Sequence, residues 1–208
     1  TKESGQSASD GSGNVGVAAA LAVNVASSLA EANTGTLTIT AGEGAGTGEL
    51  SVLSANNMDA AAIADGSATE GKTATAVGVA VAINVADMDN RALIGGTVNA
   101  DGVSAKAVMK DVGGNQSHDF QAKATSGASG SSTGVAGSFA LNVSTTPTDA
   151  KLTGNANANA GDVNLQAQNT SNASVEAKAS AVGGKTGAGV SIGLNIAVEN
   201  DTRALLTG

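Results

Sequence analysis

Hydrophobic and small or polar positions alternate along most of this chain, most clearly in four phrases that end in Asn followed by an aliphatic residue. They read GVAAALAVNV at 16–25, AVGVAVAINV at 76–85, GVAGSFALNV at 134–143 and GAGVSIGLNI at 187–196. Their asparagines are Asn24, Asn84, Asn142 and Asn195, spaced by 60, 58 and 53 residues. Positions seven, three and one before each Asn, and one after it, are mostly aliphatic or aromatic. In the second copy these are Val77, Val81, Ile83 and Val85, and in the third Val135, Phe139, Leu141 and Val143. The residues between them are mostly Gly, Ala or Ser. A period of two places one set on a single face of a strand, so the phrases predict β-strands despite their Ala content.

Other phrases recur in order behind each anchor. A short piece ending in Gly comes first, as Arg91-Ala-Leu-Ile-Gly95, Ala150-Lys-Leu-Thr-Gly154 and Arg203-Ala-Leu-Leu-Thr-Gly208, with Glu31-Ala-Asn-Thr-Gly35 a weaker match. A Gly-acidic or acidic-Gly turn then feeds a strand at 48–52, 101–105 and 161–165, followed by an Ala-alternating stretch at 120–124 and 175–179. Each unit therefore offers about four short strands separated by Gly, Asn and Asp turns. The chain divides into repeats of about 13–72, 73–131 and 132–184, with a partial one at 185–208, all within one repetitive segment, 1–208, expected to be cut from a longer protein.

Repetition at this period with thin apolar faces predicts an all-β repeat solenoid in which each coil stacks on the last. An antiparallel β-repeat array is the alternative, with Val182 to Gly187 making a hairpin between the Ala-alternating strand and the anchor. A helix at Asp59-Ala-Ala-Ala-Ile-Ala-Asp65 is disfavoured because Gly interrupts the chain throughout, and each interior Gly costs up to about 1 kcal/mol in a helix. The recurring Asn suits either a ladder of stacked side chains or a turn that tolerates left-handed backbone.

Composition agrees with a narrow interior. Among the 208 residues are 42 Ala, 38 Val, Ile and Leu, 29 Gly, one Pro (Pro147), two aromatics (Phe120 and Phe139) and no Cys. A large globular enzyme uses bulky aromatics to fill its centre, whereas Val, Ile, Leu and Ala suffice for a core a few side chains wide. The formal charge of −8 argues against nucleic-acid binding, which needs clustered positive charge. Without Cys there are no disulfides, thiolate nucleophiles or zinc-thiolate sites. No apolar run approaches the roughly 20 residues that span a bilayer as a helix.

The GVAVAINV, RALIGG, DGVSAKA and GDVNLQAQN phrases resemble the repetitive regions of very large bacterial secreted proteins. These are the filamentous-haemagglutinin-like adhesins, two-partner-secretion exoproteins and leukotoxin-type repetitive proteins. The likeness runs from about Gly13 to Gly208 and is one of strand and turn texture. It implies an extracellular or cell-surface shaft in the form of a right-handed parallel β-helix, involved in adhesion to a host-cell, matrix or bacterial-surface ligand, and it carries no functional residue across.

Candidate chemistry is sparse. His118 is followed by Asp119 in a Gln/Ser/Gly-rich turn, a pairing that can orient a general base, but no activated nucleophile accompanies it and a solvated turn histidine is expected. Asp87, Asp89, Asp149, Glu199 and Asp201 follow the anchor strands, with Arg91, Lys151 and Arg203 a few residues later. Such a set could line the edge of a β-helical polysaccharide-acting enzyme, yet sugars are usually stacked on aromatics that are scarce here. Solubilising decoration of the repeat is the simpler expectation. Asp87, Asp89, Glu199 and Asp201 are also candidate calcium ligands, since hard cations take six to eight oxygens. Gly42-Glu-Gly-Ala-Gly46 lacks the Gly-Lys-Ser/Thr of a phosphate loop, and Thr36-Leu-Thr-Ile-Thr40 is expected to be a strand with a polar outer face. The expected function is a non-catalytic structural shaft or adhesive segment, with an enzyme or a toxin segment as alternatives.

Overall fold

The computed structural model describes residues 14–42, 47–68 and 73–207, which form β-strands and no helix. The first coil holds β1 (Val15–Asn33), β2 (Thr38–Thr40), β3 (Leu50–Asn56) and β4 (Asp59–Asp65). The second holds β5 (Thr75–Ile94), β6 (Thr97–Asn99), β7 (Val103–Met109) and β8 (His118–Gly130). In the third are β9 (Thr133–Thr145), β10 (Thr148–Leu152), β11 (Asn155–Asn157), β12 (Val163–Ala167) and β13 (Ser171–Gly183), and the fourth begins with β14 (Thr186–Glu199) and β15 (Thr202–Leu206).

Equivalent strands of successive coils pair in parallel, giving four sheets. Sheet A contains β1, β5, β9 with β10, and β14 with β15; sheet B is β2, β6 and β11, sheet C is β3, β7 and β12, and sheet D is β4, β8 and β13. This is a parallel β-solenoid. The backbone groups of an inner strand such as β5 are met by the coils on both sides, so stability builds from coil-on-coil contacts.

The unequal repeat spacing is absorbed mostly at corners, and strand registers stay aligned apart from a one-residue shift at Val198 near the end of β14. Residues 110–117 join β7 to β8 in the second coil, where the third coil uses only 168–170. The longer corner folds on itself through an antiparallel bridge between Val112 and Asn115, with Gly113 and Gly114 at φ 63° and 88°. Two consecutive positive φ angles make Gly the natural occupant of both positions. Residues 43–46 of the Gly42–Gly46 stretch lie outside the described residues.

Two expectations are overturned. The link after Val182 is a corner, because β13 belongs to sheet D and β14 to sheet A, and each pairs with its counterpart one coil earlier. No hairpin forms there. The Val, Ile and Leu set of the anchor phrases also does not fill the interior, since along β5 the buried residues are Ala76, Gly78, Ala80, Ala82, Asn84, Ala86, Met88, Asn90, Ala92 and Ile94. The aliphatic positions between them point out of the coil.

Side-chain size follows the gap between sheets A and D. At the start of β5 the backbones nearly touch: a Cβ on Gly78 would lie 2.1 Å from the carbonyl oxygen of Gly127. A little further along, the buried filling is Ala, with Ala22, Ala80, Ala82 and Ala140 packed against Ala62, Ala64, Ala122 and Ala124 and the half-buried Val175 joining them in the third coil. As the sheets diverge Met58, Met88 and Phe120 enter, and between sheets A, B and C the core is Val52, Ile94, Val98, Val103 and Leu152 with Ala between them. The interior is a wedge, and close packing requires larger groups as it opens.

Candidate functional site

The four anchor asparagines sit mid-strand at one register of sheet A. Asn24 Nδ2 donates to Asn84 Oδ1 at 2.8 Å, Asn84 Nδ2 to Asn142 Oδ1 at 2.7 Å, and Asn142 Nδ2 to Asn195 Oδ1 at 2.8 Å. Asn84 and Asn142 are fully buried, so these bonds supply partners to polar groups that would otherwise be stranded among Ala. A second inward polar group joins sheets A and C. Ser54 Oγ donates to Asn90 Oδ1 at 2.6 Å, and Asn90 Nδ2 donates to the Val108 carbonyl at 2.9 Å.

His118 corrects the expectation of a solvated turn residue, because its side chain is fully buried. Nδ1 accepts a hydrogen bond from the Met58 backbone N–H at 2.9 Å, and the ring stacks on Phe120 with centroids 6.1 Å apart. That contact places the ring proton on Nε2, which has no protein partner. Burial lowers the imidazole pKa, with the Met58 contact and the charges of Asp59 and Asp119 opposing it. Asp119 points away into an exposed polar row, accepting from Asn172 Nδ2 at 2.8 Å and Asn115 Nδ2 at 3.1 Å. The Asn172 bond leads the causes that hold its carboxyl below the usual range. A groove of about 520 Å³ opens beside this row, lined in part by Asp59, Gln121 and Ser174.

The acidic residues proposed as calcium or catalytic groups lie on the outer face of sheet A and its margin, spread over three coils. Asp89 pairs with Arg91, Asp149 with Lys151 at 2.8 Å, and Asp201 and Glu199 both with Arg203. Asp87 stands beside Ser27 and Thr145 in register. Asp87 and Asp89 lie within β5, whereas Glu199 ends β14 and Asp201 precedes β15, so the acids form two separate pairs with the third coil between them. Among the described residues no cluster of three or more His, Cys, Asp or Glu side chains can hold a metal ion.

The feature missed in the sequence is the outer face of sheet A. Its register places Val17, Val77, Val135 and Ala188 in one lateral row, and Ala19, Val79, Gly137 and Val190 in the next. The following rows are Leu21, Val81, Phe139 and Ile192; Val23, Ile83, Leu141 and Leu194; and Val25, Val85, Val143 and Ile196. All twenty positions are apolar, and many are open to solvent, including Leu21 at 59%, Val79 at 41% and Val190 at 66% exposure. At about 4.8 Å per strand and 3.3 Å per residue the face covers roughly 600 Å², at the top of what monomeric proteins expose. The signal was present as parity: Val79 and Val190 alternate with the same small residues as their neighbours.

No protein-family model, curated protein or solved structure matches this chain.

Proposed function

We propose that this chain is a non-catalytic structural segment of an extracellular, adhesin-like bacterial protein, in which stacked coils form a shaft. The observation that carries this reading is the continuous asparagine ladder through four coils, which ties each coil to the next at one register. Stacking of this kind extends in one dimension and has no built-in stop. The outward acids also favour a scaffold over an active site, because Asp89, Asp149 and Asp201 each pair with a cation two residues further along the chain.

Intact cells of the source bacterium provide the test. Antibodies raised against the 208-residue chain should label them without permeabilisation, and in-frame deletion of one whole coil should reduce attachment to host cells or matrix while leaving surface labelling. Labelling confined to permeabilised cells, or turnover of a glycan by the purified chain, would overturn the proposal.

A further inference from the structure

We infer that the outer face of sheet A pairs two copies of this chain about a two-fold axis that runs along the strands between the second and third coils. The inference is independent of the shaft proposal and rests on three properties of that face. An apolar sheet face of this kind is normally covered, as in sheet-on-sheet packing, and each property points to a second copy as the cover.

The first is charge. Beyond the apolar rows, Glu31, Arg91, Asp149 and Arg203 lie side by side in register, one from each coil, so the signs alternate along the row. An axis along the strands lays the first coil of one copy on the fourth of the other, and the second on the third. Glu31 then meets Arg203 and Arg91 meets Asp149, twice each by symmetry. Each residue keeps its own sheet neighbours and gains an opposite charge across the interface. The two nearer rows, Ser27, Asp87, Thr145 and Glu199, then Leu29, Asp89, Pro147 and Asp201, place no like charges opposite each other under the same rotation.

Shape is the second property. Gly137 makes a dent in the apolar face that the fold itself does not require, since a Cβ built there meets nothing within 4 Å and its backbone is not left-handed. Glycine inside a strand is unfavourable and often marks a close approach by another group. The rotation that matches the charges sets Val79 of one copy over Gly137 of the other and Val190 over Ala19, so large side chains face small ones. A two-fold axis along the solenoid instead would set each coil on its own equivalent and leave the charged row unengaged.

Area is the third. The apolar rows and the charged rows beyond them together span roughly 1,000 Å² per copy at standard strand spacing, which meets the roughly 800 Å² per partner of a stable interface. Interfaces of that size are populated well below about 100 µM when complementarity is good.

Sedimentation velocity on the 208-residue chain tests the pairing, with circular dichroism to confirm each variant is folded. The parent chain should be dimeric at about 100 µM. Gly137→Val should leave the fold intact and weaken the dimer by about tenfold to a hundredfold, through overpacking against Val79. Adding Val79→Gly to Gly137→Val exchanges knob and hole and should restore it. Arg91→Glu with Arg203→Glu makes the charged row uniformly acidic and should weaken the dimer by at least about tenfold at low salt. Inverting the entire row with E31R, R91E, D149R and R203E keeps every cross-pair opposite in sign and should restore dimerisation. A chain that stays monomeric at this concentration, whether or not phosphatidylcholine vesicles retain it, overturns the inference. So does a dimer indifferent to Gly137→Val and to both charge sets.

Discussion

Asn84 and Asn142 lie one coil apart at the same register, neither side chain reaches solvent, and the amide of the first donates to the amide oxygen of the second over 2.7 Å. Each amide also bonds to the next Asn outward, Asn24 on one side and Asn195 on the other. Removing one member strands polar atoms on both neighbours in surroundings of Ala.

Asn84→Ala and Asn142→Ala should each therefore destabilise the chain by about 2–4 kcal/mol, the loss of two bonds together with unmet buried groups. The double variant should cost less than the sum, because the shared bond is lost once, and a double-mutant cycle from urea unfolding should return a coupling of about 1 kcal/mol or more. Strict additivity would show that the ladder is a set of independent contacts.

Acidification acts through His118. Its folded-state pKa lies below the ordinary imidazole value of about 6.5, because burial penalises the charged ring. The unfolded chain therefore binds a proton more readily than the folded one in that interval. The stability attached to a neutral His118 is fully present above about pH 6.5, falls as pH drops toward the folded-state value, and levels off below it. Urea unfolding of the parent chain should show this decline, and His118→Phe, which keeps the stack on Phe120, should flatten it.

Inward and outward positions of one strand should respond oppositely to size. Ala82→Leu forces a large side chain between sheets A and D, where the buried neighbours Ala62, Ala64, Ala122 and Ala124 leave no room for it, and should cost about 3 kcal/mol or prevent folding. Val81→Thr, the adjacent outward residue, should change monomer stability by no more than about 1 kcal/mol. Thermal unfolding at concentrations below self-association separates the two.

The corner at 110–117 should tolerate shortening more readily than side chains at its tip. Gly114→Val places a β-branched residue at φ 88° and should cost about 1–2 kcal/mol. Replacing the corner by the three-residue connection of the third coil should alter stability by about 1 kcal/mol or less, since closing a shorter loop is entropically cheaper. Differential scanning calorimetry of both variants tests the contrast.

The amino-acid order carried a good deal of this molecule. Four Asn phrases at similar spacing announced repeated coils, and their period of two announced strands, because alternation about an extended backbone is a local property. The same locality explains what stayed hidden. Alternation separates two faces of a strand but does not say which is enclosed, and hydrophobicity alone put Val77, Val81 and Ile83 inside. The closed path of the coil reversed that choice: with Gly78 against Gly127, sheets A and D lie so close behind Val77, Val81 and Ile83 that the buried filling there is Ala. His118 likewise reads as a turn residue until Met58, sixty positions earlier, is brought to its Nδ1. The alternating row of Glu31, Arg91, Asp149 and Arg203 exists only once four coils are in register, since its members are 54 to 60 residues apart along the chain and one strand apart in space.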